Sequence, residues 1–174
     1  IEDDLSPNPA VFLLWRGPSA KEKGGLELDL FADLLGGSEV SELNETLVKK
    51  LKICNAAESF YIKGVGEGIF ILYGILNEGS THEQVENELY NTLARFIEKG
   101  AENQFIFDST KNKIYTGLQF EHINPMNRAQ KLAYWELLGN ADKINSEAEE
   151  IKNTQLNDVL NVAQHYLNES CKSV

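Results

Sequence analysis

The sequence is poor in the residues on which most metal and redox sites depend. It contains only three histidines and two cysteines in 174 residues. Cys54 and Cys171 lie far apart and form no C-x-x-C pair, and two cysteines are too few for a cysteine-based zinc site. Neither their number nor their spacing argues for a disulfide between them, so the redox compartment stays open.

Basic charge and long apolar runs are also scarce. The 27 acidic residues outnumber the 16 basic ones, which gives a net charge of −11. Nucleic acid and anionic membrane surfaces attract basic faces, so neither is an expected partner. No apolar run approaches the roughly 18 residues needed to span a bilayer. The hydrophobic content of 42% is enough for one core, and we expect a single domain over residues 1–174.

The hydrophobic pattern changes its period along the chain. A short apolar run at 10–16 predicts a buried strand, and two helical stretches follow it. Residues 53–76 are β-rich on both sides of the glycine cluster 64–68, which predicts a hairpin. A phosphate-binding loop is disfavoured because a strand, and not a helix, follows the glycines. From residue 80 onwards the pattern is helical, so we predict an α+β fold whose antiparallel sheet has helices packed on one face.

Helical spacing also predicts which side chains enter the core. In the second helical stretch Val40, Leu43, Leu47 and Leu51 share one face. The aromatic residues of the helical half fall in the same kind of pattern and are expected to pack in the core: Tyr90, Phe96, Phe105, Phe107, Tyr115, Phe120, Tyr134 and Trp135.

One stretch differs by a single letter from a zinc-binding motif. His82-Glu83-Gln84-Val85-Glu86 has Glu86 where H-E-x-x-H requires the second histidine. Ser80 and Glu83 also match the capping box S-x-x-E directly before an apolar helical face. We interpret the stretch as a helix start, and an independent metalloenzyme using His82 is the alternative. The other histidines, His122 and His165, have no second histidine in ligand register.

An ordered set of motifs runs through the chain. The helical half contains Arg128-Ala129, Leu132-Ala133-Tyr134, Glu136-Leu137-Leu138-Gly139, Ala141-Asp142, Thr154, Asp158-Val159, Val162-Ala163 and Tyr166-Leu167. Upstream stands LDLFADLLGGSEVSELNETLVKK, followed by the hairpin and by a helix that ends in Lys-Gly. This order resembles a domain of the pitrilysin/insulinase family of zinc metallopeptidases over nearly the whole chain. The resemblance implies a half-domain of the kind shared with mitochondrial processing peptidase and LuxS-like metallohydrolases.

Such enzymes pair two homologous halves, in one chain or two, around an enclosed peptide-binding chamber. One half carries the inverted motif H-x-x-E-H with zinc. Here those three letters fall at Leu28, Phe31 and Ala32, none of which can bind zinc, and H-x-x-E-H occurs nowhere. The resemblance therefore implies the non-catalytic C-terminal half, inactive alone, with no catalytic or metal-binding residue of its own. Zinc is expected in the catalytic partner half, and a peptide is the expected substrate.

The resemblance also points to a substrate contact in the non-catalytic half. Halves of this kind contribute an arginine and, seven residues later, a tyrosine. Val48 and Asn55 stand at these positions here, and Lys49 and Lys52 are the nearby cations that could take over the contact.

Two functions fit the resemblance. The chain is either the metal-free half that helps to form the peptide-binding chamber of a zinc metalloendopeptidase, or a scaffold or assembly subunit of the same family without proteolytic activity. We expect it to be an excised half of a larger two-half peptidase, with its last strand truncated. The apolar strand at 10–16 is expected to offer a sheet edge to which a peptide could pair. The family resemblance is compatible with a periplasmic or a cytoplasmic setting.

Overall fold

The computed structural model describes residues 8–121, 123–168 and 172–173. In these ranges a sheet of antiparallel strands carries helices on one face, so the predicted α+β fold is confirmed. The strands are β1 (Ala10–Gly17), β2 (Cys54–Ile62), β3 (Gly68–Leu76) and the short β4 (Lys172–Ser173). Their order across the sheet is β2-β3-β1-β4.

The helices occur along the chain in the order that the sequence predicts, with the first α-helix before the β2–β3 hairpin and the others after it. They are α1 (Gly25–Gly36), α2 (His82–Lys99), α3 (Gln104–Glu121), α4 (Pro125–Leu137), α5 (Lys143–Asn153) and α6 (Leu156–Tyr166), with a π-helix at Asn44–Lys50 and a 3₁₀ turn at Gly100–Asn103. Several ends have clear local causes. Gly100 ends α2 with a φ of 52°. Pro125 opens α4 behind Asn124, whose Oδ1 accepts a hydrogen bond from the Met126 amide at 2.9 Å.

The strand from residue 10 lies inside the sheet and not at its edge. β3 pairs with β1 along its whole length, from Ala10 opposite Ile75 to Gly17 opposite Gly68. On its other side β1 pairs with β4 at Leu14 and Trp15. The expectation that this strand offers a sheet edge is therefore wrong at Leu14 and Trp15, where β4 occupies that edge. The hairpin folds back so that β3 lies beside β1, and β2 becomes the edge strand.

The hydrophobic core lies between one face of the sheet and the helices α1, α2 and α6. Alternate residues of the strands point into it, and they include Leu13, Trp15, Phe70 and Leu72. Phe31 of α1 is the meeting point: its ring centroid lies 6.0 Å from that of Phe70 and 5.8 Å from that of Phe96 in α2. One aromatic cluster thus joins the sheet to two helices.

Two expectations about the core are wrong in part. In the second helical stretch Leu43 and Leu47 are buried, but Val40 and Leu51 are exposed, because one precedes the helical turns and the other follows them. In α3 only one face reaches the core. Phe107 is therefore buried, whereas Phe105 and Phe120 lie on the outer side and are exposed.

Gly36 provides a test of how closely α1 packs on β2. A Cβ at this position would overlap the backbone nitrogen of Ser59, whose hydroxyl donates a hydrogen bond to the Ala32 carbonyl at 2.8 Å. We predict that Gly36→Ala lowers the free energy of unfolding by about 1–3 kcal/mol, because the helix and strand must separate. Urea unfolding measures the effect.

The matched control is Gly66→Ala in the hairpin turn, where no atom lies within 4 Å of the added Cβ. We expect its free energy of unfolding to change by no more than about 0.5 kcal/mol. Equal unfolding midpoints for the two variants would contradict the close contact.

Candidate functional site

Helix α1 carries the positions at which the family resemblance places a zinc motif. Leu28, Phe31 and Ala32 are 0%, 0% and 2% exposed, and all three belong to the hydrophobic core. Polar ligands at such positions would face apolar neighbours and lose their hydration. The inner face of α1 therefore serves packing and supplies no metal ligand.

The stretch around His82 is the start of α2, as interpreted, but its cap is Thr81. The Thr81 backbone is extended, and Oγ1 accepts a hydrogen bond from the Gln84 amide at 3.2 Å. The predicted cap at Ser80 is wrong by one residue, because the helix begins at His82 and the N-cap is the residue before it.

The histidines do not come together with other ligands in the part of the chain that the structure describes. His82 is exposed, and His165 of α6 stands edge-on to Tyr166 with the ring centroids 4.8 Å apart. Among the described residues no group of three His, Cys, Asp or Glu side chains could hold a metal ion. His122 lies outside the described residues.

Cys54 begins β2 and points into the core. Burial raises the pKa of its thiol to about 11, so the thiol stays protonated at neutral pH. A protonated, buried thiol is not a nucleophile. Cys171, the other cysteine, lies outside the described residues.

The positions at which the resemblance places an arginine and a tyrosine lie in two neighbouring elements, the π-helix and β2. Val48 is in the π-helix, half-buried against the core, and Asn55 is exposed at the start of β2. The β2–β3 register shifts between Cys54 and Ala56, beside Asn55. Val48 and Asn55 carry neither a positive charge nor an aromatic ring, unlike the arginine and tyrosine that the resemblance implies at these positions.

The two lysine candidates differ in their surroundings. Lys49 forms an ion pair with Glu45 at 2.6 Å, one turn away in the π-helix. Lys52 is exposed and has a φ of 56°, and its carbonyl accepts a hydrogen bond from Asn77 Nδ2 at 2.8 Å. A residue with a side chain rarely adopts this left-handed conformation. Both lysines stay predictions as substrate contacts.

The largest feature that the sequence reasoning missed is the second face of the sheet. We call it the open sheet face. It consists of Ala10, Phe12, Leu14 and Arg16 of β1, Ala56, Glu58, Phe60 and Ile62 of β2, and Ile69, Ile71, Tyr73 and Ile75 of β3. The signal was present in β3, whose residues 69–76 are apolar at almost every position, as is typical of strands covered on both faces.

Aromatic side chains form the centre of the open sheet face. Phe12 stacks on Tyr73 with the ring centroids 5.4 Å apart, and Phe60 meets the same ring edge-on at 6.1 Å. The Tyr73 hydroxyl donates a hydrogen bond to Glu58 Oε2 at 2.6 Å. Partial burial, together with this carboxylate, raises the pKa of Tyr73 to about 12, so the hydroxyl remains a donor.

The open sheet face is more apolar than a solvated surface needs to be. Phe12, Phe60, Ile62 and Ile69 are 47%, 40%, 50% and 44% exposed, and they lie on adjacent strands. Contiguous apolar patches on soluble proteins usually mark interaction sites. This surface is therefore the candidate functional site of the domain.

In the part of the chain that the structure describes, helices cover one face of the sheet, and the opposite face is apolar and partly exposed. The family model described as the peptidase M16 inactive domain matches residues 1–114, so the chain belongs to this family. The predicted family and the predicted non-catalytic character of the domain are thereby confirmed. A comparison with curated proteins gave no match.

Solved structures share the fold across almost the whole chain. A protease from Helicobacter pylori is 20% identical with a TM-score of 0.90, over 99% of this chain and 41% of its own. A candidate zinc protease from Bordetella pertussis Tohama I is 21% identical with a TM-score of 0.87, over 98% and 93%. The inactive peptidase domain of a candidate zinc protease from Bordetella parapertussis is 20% identical with a TM-score of 0.82, over 95% and 88%.

These identities show the fold alone. This chain spans 41% of the Helicobacter pylori protein, less than half of its length. Within the described residues no helix is long and apolar enough to cross a membrane.

The helix start at Thr81 can be tested by paired substitutions. We predict that Thr81→Ala lowers the free energy of unfolding by about 1 kcal/mol, because the Gln84 amide loses its acceptor. Ser80→Ala is the control, and its effect is expected to be smaller because Ser80 lies outside the cap. Urea unfolding of both variants measures the difference. If Ser80→Ala lowered the free energy of unfolding more than Thr81→Ala, the result would support Ser80 as the cap, as the sequence suggested.

Proposed function

We propose that this chain is the metal-free half of a zinc metallopeptidase and that it helps to enclose a peptide-binding chamber. Its partner is a catalytic H-x-x-E-H half, in the same chain or in a homologous subunit, and zinc resides in that partner. The single observation that carries the proposal is the open sheet face, which is apolar across three strands and is not covered by other described residues.

The buried positions of α1 support the proposal that zinc lies in the partner half and not in this chain. Leu28, Phe31 and Ala32 have no donor atoms for a metal and lie inside the core. A domain built this way contributes shape and surface, and hydrolysis depends on the partner. The greater length of the Helicobacter pylori protease, of which this chain spans 41%, agrees with a role inside a larger assembly.

A scaffold or assembly subunit without proteolytic activity is the second candidate. The observation that favours it is the replacement of the family's arginine and tyrosine by Val48 and Asn55, which removes a substrate contact. The two functions differ in one measurable respect. A chamber half supports peptide cleavage by its partner, whereas a scaffold subunit supports only association.

The proposal is tested on the full-length protein, or on this chain together with its catalytic half. We predict that Phe12→Glu combined with Phe60→Glu abolishes association of the halves and lowers peptide cleavage at least about tenfold, equivalent to about 1.4 kcal/mol. The physical reason is that two carboxylates would have to be buried at the interface without partners. Co-purification and a fluorogenic peptide assay give the two measurements.

The control is Val65→Glu in the β2–β3 turn, a residue that is exposed but lies outside the open sheet face. We expect it to leave association and cleavage unchanged. If the double variant folds and still associates and cleaves like the wild type, the proposed interface is wrong. If the wild-type halves associate but cleave no peptide, the scaffold function replaces the chamber function.

A further inference from the structure

A cavity of about 700 Å³ lies between the start of α1 and helices α4 and α5. This volume is in the range of small-molecule sites. One wall consists of residues 20–27 and Lys63, and the other includes Trp135, Leu138, Lys143 and Glu147. The cavity is formed by helices and loops and shares no residue with the open sheet face.

The first turn of α1 forms part of the wall and has no side-chain cap. Its N-cap is Gly24, which has a φ of 100° and no side-chain acceptor for the first amides of the helix. There is also little room for a larger residue, since a Cβ on Gly24 would lie 3.3 Å from Val162 Cγ1. Uncapped amides at a helix start favour a negatively charged group.

A second, independent observation comes from the opposite wall. Trp135 is 8% exposed, and its Nε1–H is enclosed without an acceptor among the described residues. Buried N–H groups are nearly always hydrogen-bonded. The other indole of the chain follows this rule, because Trp15 Nε1 donates to the Asn168 carbonyl at 3.0 Å. Trp135, which has this unpaired N–H group, therefore lines the same cavity as the uncapped start of α1.

Most of the charged side chains around the cavity have a partner, inside or outside its lining. Glu22 accepts from the Ser19 amide at 2.7 Å, Lys63 lies 2.6 Å from Asp29, Lys143 pairs with Glu150, and Glu147 lies 2.9 Å from Lys131 in an ion pair without hydrogen-bond geometry. Among the described residues, Lys21, Lys23 and Glu27 have no such pair. Glu22 keeps its negative charge, because its partner is a neutral backbone amide, so Glu22 and Glu27 balance Lys21 and Lys23. The attraction for a negatively charged group therefore comes from the uncapped amides at the start of α1.

We propose that this cavity binds a ligand with a terminal carboxylate next to an apolar group. The carboxylate accepts hydrogen bonds from the first amides of α1 and from Trp135 Nε1–H, with Lys21 and Lys23 nearby. The apolar group packs against Leu26 and Leu138. The C-terminus of a peptide and a free α-amino acid share this chemistry. The inference does not rest on the proposed function, because it uses no residue of the open sheet face.

The two indole N–H groups make the proposal testable by NMR of the ¹⁵N-labelled chain. We expect N-acetyl-leucine to shift the Trp135 indole signal and the Gly25 and Leu26 amide signals saturably at millimolar concentration. The Trp15 indole, already bonded to Asn168, should not move. N-acetyl-leucinamide, which has the same shape without the charge, should leave all these signals in place.

Further ligands separate the sources of the carboxylate. Free leucine that binds more tightly than N-acetyl-leucine would identify an amino acid as the ligand, and the reverse would identify a peptide C-terminus. Either result supports the carboxylate site. An equal response to inorganic phosphate, an equal response to the amide, or no saturable shift would overturn it.

Two sets of variants test the residues. We expect Trp135→Phe, which keeps a ring and removes the donor, to weaken binding of N-acetyl-leucine about tenfold. Lys21→Ala with Lys23→Ala changes only exposed residues, keeps the fold, and should weaken binding severalfold. The matched control, Lys50→Ala with Lys113→Ala, removes the same charge from exposed positions outside the cavity and should have no effect. Unchanged binding in both test variants would overturn the proposal.

Discussion

The close contact between α1 and β2 is the constraint on which the rest of the domain depends. Gly36 allows the end of the helix to touch the strand, and Ser59 fixes the contact through its hydrogen bond to Ala32. Phe31 can then reach both Phe70 and Phe96. Every position on the inner face of the helix is consequently committed to packing, including those at which a catalytic half would hold its metal. The absence of metal ligands at Leu28, Phe31 and Ala32 and the packing of the core thus belong to the same arrangement.

Among the described residues, helices cover only one face of the sheet. Its helix-facing side chains are buried, while the opposite rows centre on Phe12, Phe60 and Tyr73. The hydrogen bond between Tyr73 and Glu58 places one polar pair among these apolar residues. Such a pair restricts how a covering surface can be oriented, because its remaining hydrogen-bonding capacity must be met. If the open sheet face binds a partner as proposed, this pair would therefore favour some orientations of that partner over others.

Features that depend on residues close together in the chain were predicted correctly from the sequence. The hairpin followed from glycines that precede a strand, and the end of α2 followed from the Lys-Gly pair at Gly100. The family and its non-catalytic half followed from motif order and from Leu28, Phe31 and Ala32. The place of β1 in the sheet could not be predicted from the sequence, because the β1–β3 pairing joins segments more than fifty residues apart. The exposed Phe105 and the cavity beside Trp135 were missed for the same reason: both depend on which helices become neighbours in space.

The open sheet face has a thermodynamic consequence. The heat capacity of unfolding grows with the apolar surface that becomes newly hydrated. Side chains that water already reaches in the folded domain, such as Ile62 and Ile69, add less to that change than covered ones would. The stability curve of the domain alone should accordingly be flatter with temperature than that of a domain of equal length with both sheet faces covered. Any layer that covers the face would restore the curvature, with a negative heat-capacity change on association.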